Sequence, residues 1–142
     1  MDDRTGIIET VDRYATALDA RDWALLDDVF VEDAVGDFGQ GEILGRERLR
    51  RMIRSMLGGC GPTQHLLGNY VVEIDDGGAT ARCTCQVRAF HASASPGDDR
   101  VYELFGAYRD RLVRTPEGWR IARRQLVIRH ELGSRAVLGV GP

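Results

Sequence analysis

The sequence contains no lysine; all 19 of its basic residues are arginine. That excludes a Schiff-base lysine and the lysine of a phosphate-binding P-loop. Cysteine is scarce and odd in number: Cys60, Cys83 and Cys85, with no C-x-x-C pair. Cys83 and Cys85 fall within strand-like alternation. They read as reduced thiols packing as small hydrophobes rather than as a disulfide framework. No apolar run reaches the roughly 18 residues that suggest a membrane span. The opening MDDRTGIIET is too charged for a signal peptide. A cytoplasmic location without a membrane partner is therefore expected. Basic excess is also missing, with 22 acidic residues against those 19 and a net charge of -3. Such a chain has little to offer a phosphate backbone, so nucleic acid is not expected as a partner.

What is present suits one globular domain over residues 1–142, with 43% hydrophobic and 29% charged residues. Ile7, Ile8, Val11, Tyr14, Ala15 and Leu18 form one apolar face of a helix over 4–20. Asp22 is placed to cap a second helix that buries Trp23, Leu26, Val29 and Phe30. A loop or short strand runs through Phe38 to a turn punctuated by Gly39, Gly41 and Gly45. Leu49, Met52, Ile53 and Met56 set a third helix, whose Arg46, Arg48, Arg50, Arg51 and Arg54 read as a solvated outer face. After Gly58-Gly59 the period changes from 3.6 to 2. Four long strands follow, over about 63–75, 79–92, 100–114 and 119–131, with hairpin turns at Asp76-Gly77-Gly78 and Pro116-Glu117-Gly118. The Gly-rich tail from Gly133 to Pro142 is expected to be loosely held. Three helices before four antiparallel strands make an α+β plan: a strongly curved antiparallel sheet covered by the helices, a cone with an apolar interior.

In the strand over 79–92, Ala81, Cys83, Cys85, Val87, Ala89 and His91 share one parity, so His91 points to the apolar side. Arg82, Thr84, Gln86 and Arg88 take the outer parity, polar enough for a wet interface between copies. His65 shares parity with Leu67, Asn69 and Val71, but the opposite parity is apolar too, so periodicity does not place it. His130 shares parity with Leu126 and Ile128, while Trp119 and Ile121 take the other, which implies a bulge between them. Asp19 lies at the C-terminal end of the first helix, beside the apolar stripe. The negative end of the dipole and burial should both push its pKa up. The alternatives are a core histidine at 91 and a solvated aspartate at 19. No metal-ligand spacing such as H-x-H or H-E-x-x-H occurs, nor G-x-S-x-G, nor G-x-G-x-x-G after a strand, and neither a metal nor a cofactor is expected. Cys60, in G-G-C-G-P, has no base that the sequence places beside it.

Four segments read together: Y-A-T-A-L-D-A-R-D-W (14–23), T-Q-H-L-L-G-N (63–69), Q-V-R-A-F-H (86–91) and Y-R-D-R-L-V-R-T-P-E-G-W-R-I (108–121). Over about residues 5–131 the chain resembles the SnoaL-like division of the nuclear transport factor 2-like superfamily. The pattern is similar to scytalone dehydratase and related cofactor-free dehydratases. That resemblance implies a catalytic set of Asp19, His65 and His91. It departs from the family where two water-binding tyrosines would stand: this chain has Leu18 and Phe38 there. Tyr14, Tyr102 and Tyr108 are candidates for a replacement hydroxyl, Tyr14 first, and Asn69, the one asparagine of the chain, for orienting a carbonyl.

The chemistry implied is acid–base. Removing water beta to a carbonyl needs a base for the alpha proton and an acid for the leaving hydroxyl, and histidine suits both near neutral pH. Asp19 would fix the tautomer of His65, and His91 would protonate the leaving group or steady the enolate. The expected protein is a cofactor-free lyase or cyclase on a small apolar or aromatic carbonyl compound such as a polyketide or steroid, assembled as a homodimer or homotrimer. The rivals are an isomerase using the same pocket and a non-catalytic ligand-binding or structural subunit.

Overall fold

The computed structural model describes residues 1–139. Helix α1 (Asp3–Ala20) starts where the Asp2 carboxylate accepts from the Thr5 backbone N–H at 2.8 Å, an N-cap. Its apolar stripe buries Ile7, Val11, Tyr14 and Leu18, and it stops where Arg21 turns left-handed at φ 55. Asp22 caps the next turn through Leu25 as expected, but that element is a 3-10 helix, Trp23–Asp28, rather than a full α-helix. Strands β1 (Phe30–Asp37) and β2 (Glu42–Leu44) precede α2 (Arg46–Leu57), and four long strands follow: β3 (Thr63–Ile74), β4 (Thr80–Ala92), β5 (Val101–Thr115) and β6 (Gly118–Gly133).

The strands form one sheet in the order β2-β1-β6-β5-β4-β3. The expected four antiparallel strands are all there, in near-expected bounds. The sheet is nevertheless six-stranded and mixed, because β1 pairs with β6 in parallel. It is curved and open, with the helices on its concave side. Three bulges in the long strands β3 and β6 account for geometry that simple alternation misses, and the β1–β6 pairing shifts register once more between Phe30 and Val35. One, between Gly68 and Val71 of β3, puts Asn69 at φ 56. Two in β6 shift the register opposite Arg111/Leu112 and Phe105/Gly106. Bulges bend a strand and increase its twist. Helix α2 lies against β1, where a Cβ on Gly36 would come within 2.5 Å of Leu49 Cδ2, so a larger residue there would have to displace the Leu49 side chain.

Two surface expectations change. Arg48, Arg51 and Arg54 are exposed, but Arg46 and Arg50 fold back: Arg46 donates to the Phe30 carbonyl at 3.1 Å, and Arg50 pairs with Glu47 and Asp27. The chain after Gly133 is not loose through residue 139. It forms a 3-10 turn, Arg135–Val137, and Gly139 bonds by backbone to Met56 and Gly59. The remainder of the tail lies outside the described residues.

Candidate active site

Between the helices and the concave face of the sheet lies a cavity of about 120 Å³. Its wall is mostly apolar. Leu18 comes from α1, Phe38 from just past β1, Met52, Ile53 and Met56 from α2, Ala89 from β4, Leu126 and Ile128 from β6, and Leu138 from the ordered tail. The polar side chains in that wall include His65, His91, Tyr14, Tyr102 and Tyr108.

Asp19 stands at the end of α1 and reaches β3. Its Oδ1 lies 2.7 Å from His65 Nδ1 and accepts from the Thr63 hydroxyl at 2.9 Å; its Oδ2 accepts the backbone N–H of His65 at 2.8 Å. The β3 bulge explains why parity could not place His65. Residues before it (His65, Leu67) and after it (Tyr70, Val72) face inward with opposite parity. The His65 side chain is 5% exposed.

The expected upward shift of Asp19 is reversed. Burial does push its carboxyl up, but the hydrogen bonds and charge of His65 and the Thr63 hydroxyl together hold it below the ordinary carboxylate value. An ionised Asp19 accepts from Nδ1, which leaves the Nε2 lone pair of His65 free to act as a base.

His91 is buried on the inner face, as its parity predicts. Its Nδ1 donates to the Tyr102 carbonyl at 3.0 Å, as a core histidine would. Its ring centroid is 5.5 Å from that of His65, at 85°. Burial pulls its pKa down to about 4, so near neutral pH it is uncharged, with an accepting Nε2. A neutral ring pinned in this way accepts a hydrogen bond at Nε2; it does not donate there. The acid role expected of it does not fit.

Tyr14, Leu18, Phe38, Tyr102 and Tyr108 all line the cavity, but Asn69 does not: it is the exposed left-handed residue of the β3 bulge. His130 is likewise turned outward, against Phe105, by the second β6 bulge. Burial pushes Tyr14 up to about 12 and Tyr108 well above its ordinary value, so both keep their hydroxyl protons.

One buried pair was missed. Arg124 Nε and Nη2 donate to Asp110 Oδ1 and Oδ2 at 2.8 and 2.7 Å, with both side chains at 0% exposure. The guanidinium carbon lies 3.9 Å from the Tyr108 ring centroid and 4.3 Å from that of Tyr14. The signal was present: Asp110 shares parity with Tyr108 and Leu112, and Arg124 with Leu126. Among the described residues, no three His, Cys, Asp or Glu side chains converge as a metal site, and no helix is long and apolar enough to cross a membrane.

A helix-lined, curved sheet enclosing an apolar cavity defines a nuclear transport factor 2-like protein. More narrowly, the chain belongs to the SnoaL-like domain family, whose family model matches residues 1–125. It is 36% identical over 125 residues to Rv2910c, an uncharacterised protein of Mycobacterium tuberculosis, covering 86% of this chain and 82% of that one. Among solved structures it is similar to an NTF2-like protein with a cystatin-like fold from Novosphingobium aromaticivorans, at 29% identity and a TM-score of 0.69, over 89% of this chain and 81% of that one. A candidate scytalone dehydratase from the same species superposes with a TM-score of 0.83 over 92% and 87% of the two chains. Its identity of 21% speaks for the fold alone.

Proposed function

We propose that the protein is a cofactor-independent lyase or cyclase that works by proton transfer on a small, largely apolar hydroxylated carbonyl compound. The observation carrying this reading is the meeting of an Asp19-backed His65 and a neutral His91 in one apolar cavity. An open cavity also favours catalysis over a purely structural subunit, which needs none. The resemblance of Asp19, His65 and His91 to the cofactor-free dehydratase pattern adds the expectation of water elimination.

The residue types allow one sequence of steps. His65 Nε2 removes the proton alpha to the carbonyl, and Asp19 stabilises the imidazolium that forms. The carbonyl oxygen gains negative charge, and the hydroxyl groups of Tyr14 and Tyr108 donate to it, taking the part of the family tyrosines replaced by Leu18 and Phe38. His91 Nε2 accepts from the substrate hydroxyl and orients it. The same His65 then returns its proton to that hydroxyl, which leaves as water. Acid and base duty thus fall on one ring, consistent with a His91 that stays neutral. A homodimer or homotrimer remains part of this reading. Leu66, Val71, Ile74 and Leu132 give it apolar surface to bury, being 57%, 56%, 42% and 46% exposed.

The test is a panel of single-ring beta-hydroxy ketones, beginning with 3-hydroxycyclohexanone, assayed for loss of water by mass and for the enone absorbance. Turnover by the wild-type protein, absent in His65→Gln, supports the reading. Ketones that bind and are returned unchanged count against it.

A further inference from the structure

Arg21 lies inside the D-A-R-D-W segment but had no part in the chemistry read from it. It is the left-handed residue that ends α1, and its guanidinium makes three contacts. Nη1 donates to the Leu18 carbonyl at 2.9 Å and to the Thr63 hydroxyl at 2.7 Å, and Nη2 donates to the Gly61 carbonyl at 2.6 Å. The Thr63 hydroxyl sits between Arg21 and Asp19, whose Oδ1 is 2.9 Å away.

The direction of this chain is fixed by chemistry. A guanidinium only donates. The Thr63 oxygen therefore accepts from Arg21, and its own proton must go to Asp19. With that proton and His65 Nδ1–H on Oδ1, and the His65 backbone N–H on Oδ2, the carboxylate holds three donors in fixed places. The geometry points to Arg21 and Thr63 as positioning residues, a relay that locks Asp19 ionised and in plane so that His65 presents Nε2 to the cavity. This inference deepens the proposed function and rests on its choice of base. The relay is also economical in structure, since the same guanidinium ties the end of α1 to Gly61 and Thr63 at the start of β3.

A merely structural Arg21 would hold α1 to β3 and leave the protons of Asp19 and His65 unchanged. The test therefore reads protons, not activity. Long-range ¹H–¹⁵N spectra give the His65 tautomer, and ¹³C titration gives the Asp19 midpoint, in wild type, Thr63→Val, Thr63→Ser and Arg21→Gln. The wild type should carry the His65 proton on Nδ1 alone. In Thr63→Val and Arg21→Gln, loss of a charge-assisted hydrogen bond should raise the Asp19 midpoint by about one pH unit and admit some Nε2–H tautomer. Thr63→Ser should match the wild type. Thr63→Ala repeats the deletion should valine fail to pack. Folded variants with the wild-type midpoint and a single tautomer would overturn the relay and leave the proposed function standing. A wild type protonated on Nε2 would remove the base assignment together with it.

Discussion

Asp19 holds His65 twice, by the ring at 2.7 Å and by the backbone N–H at 2.8 Å, so a single carboxylate sets both the orientation of the imidazole and the position of the strand that carries it. Asp19→Asn replaces one accepting oxygen with an NH₂ donor. That group must face either the His65 ring or its backbone N–H, and a donor facing Nδ1 drives the ring proton to Nε2. The variant should fold, while kcat/KM falls by about 10²–10⁴-fold, the range for a positioned acid–base group. Steady-state kinetics on a turned-over ketone, with a thermal melt as the folding control, checks this.

His91 separates structure from chemistry through its two nitrogens. The amide nitrogen of Asn can stand where Nδ1 stands and keep the bond to the Tyr102 carbonyl. It leaves nothing at Nε2. His91→Asn should stay near wild-type stability and lose about 10²-fold or more in rate. His91→Leu loses both nitrogens and should cost about 1–3 kcal/mol in addition, because the Tyr102 carbonyl is left unpaired. Urea unfolding of the two variants beside their kinetics shows whether stability and rate separate in this way.

Stability should also depend on pH through His91. Its folded pKa of about 4 lies below the ordinary 6.5. Between those values the unfolded chain binds a proton that the folded chain refuses, so stability falls as pH falls through that window. The groups facing the ring, His65, Asp19, Arg21 and Tyr102, include no carboxylate that touches it. Asp19 acts with the same sign, but its contribution is lost only below its ordinary value of 3.8. Urea midpoints at pH 7, 5.5 and 4.5 should decline in the wild type, and the decline should be shallower in His91→Leu.

The Asp110–Arg124 pair makes a sharper stability prediction. Asp110→Asn leaves a buried guanidinium without its carboxylate and should destabilise the fold by about 3–5 kcal/mol. Replacing both, as Asp110→Leu with Arg124→Met, should recover most of that loss, because a packed apolar pair avoids the desolvation cost. Chemical denaturation of the single and double variants measures the difference. A double variant as unstable as the single one would show that Arg124 is needed for its stacking on Tyr108 and Tyr14 rather than for its charge.

Much of this was legible in the sequence because the long strands alternate cleanly. The parity of Ala81, Cys83, Cys85 and Ala89 sent His91 inward, and the inconsistent parity of Trp119 and Leu126 announced a bulge. What stayed hidden depends on partners distant in sequence. β1 has no clean alternation, and its parallel pairing with β6 cannot be read from a local pattern. The Asp19 pKa was misjudged because the helix dipole and burial are visible in sequence, whereas the donors from residues 63 and 65 are not. Which carbonyl His91 bonds had no local signal, because Tyr102 faces it only through the β4–β5 register, which pairs those two residues. The tail looked loose by composition, yet buried Val137 and the bonds of Gly139 pin it over the cavity.

The central claim is that His65 Nε2 takes a proton from carbon next to a carbonyl. Its most direct measurement is solvent deuterium exchange at the alpha carbon of a bound single-ring ketone, followed by NMR in heavy water. This step needs no leaving group and no knowledge of the natural substrate. The account predicts exchange with wild-type protein, stereospecific for one face of the ring, and only the solvent background with His65→Gln or Asp19→Asn. A ketone whose shifts show it seated in the cavity, yet which exchanges no faster with the wild type than with His65→Gln, would contradict it.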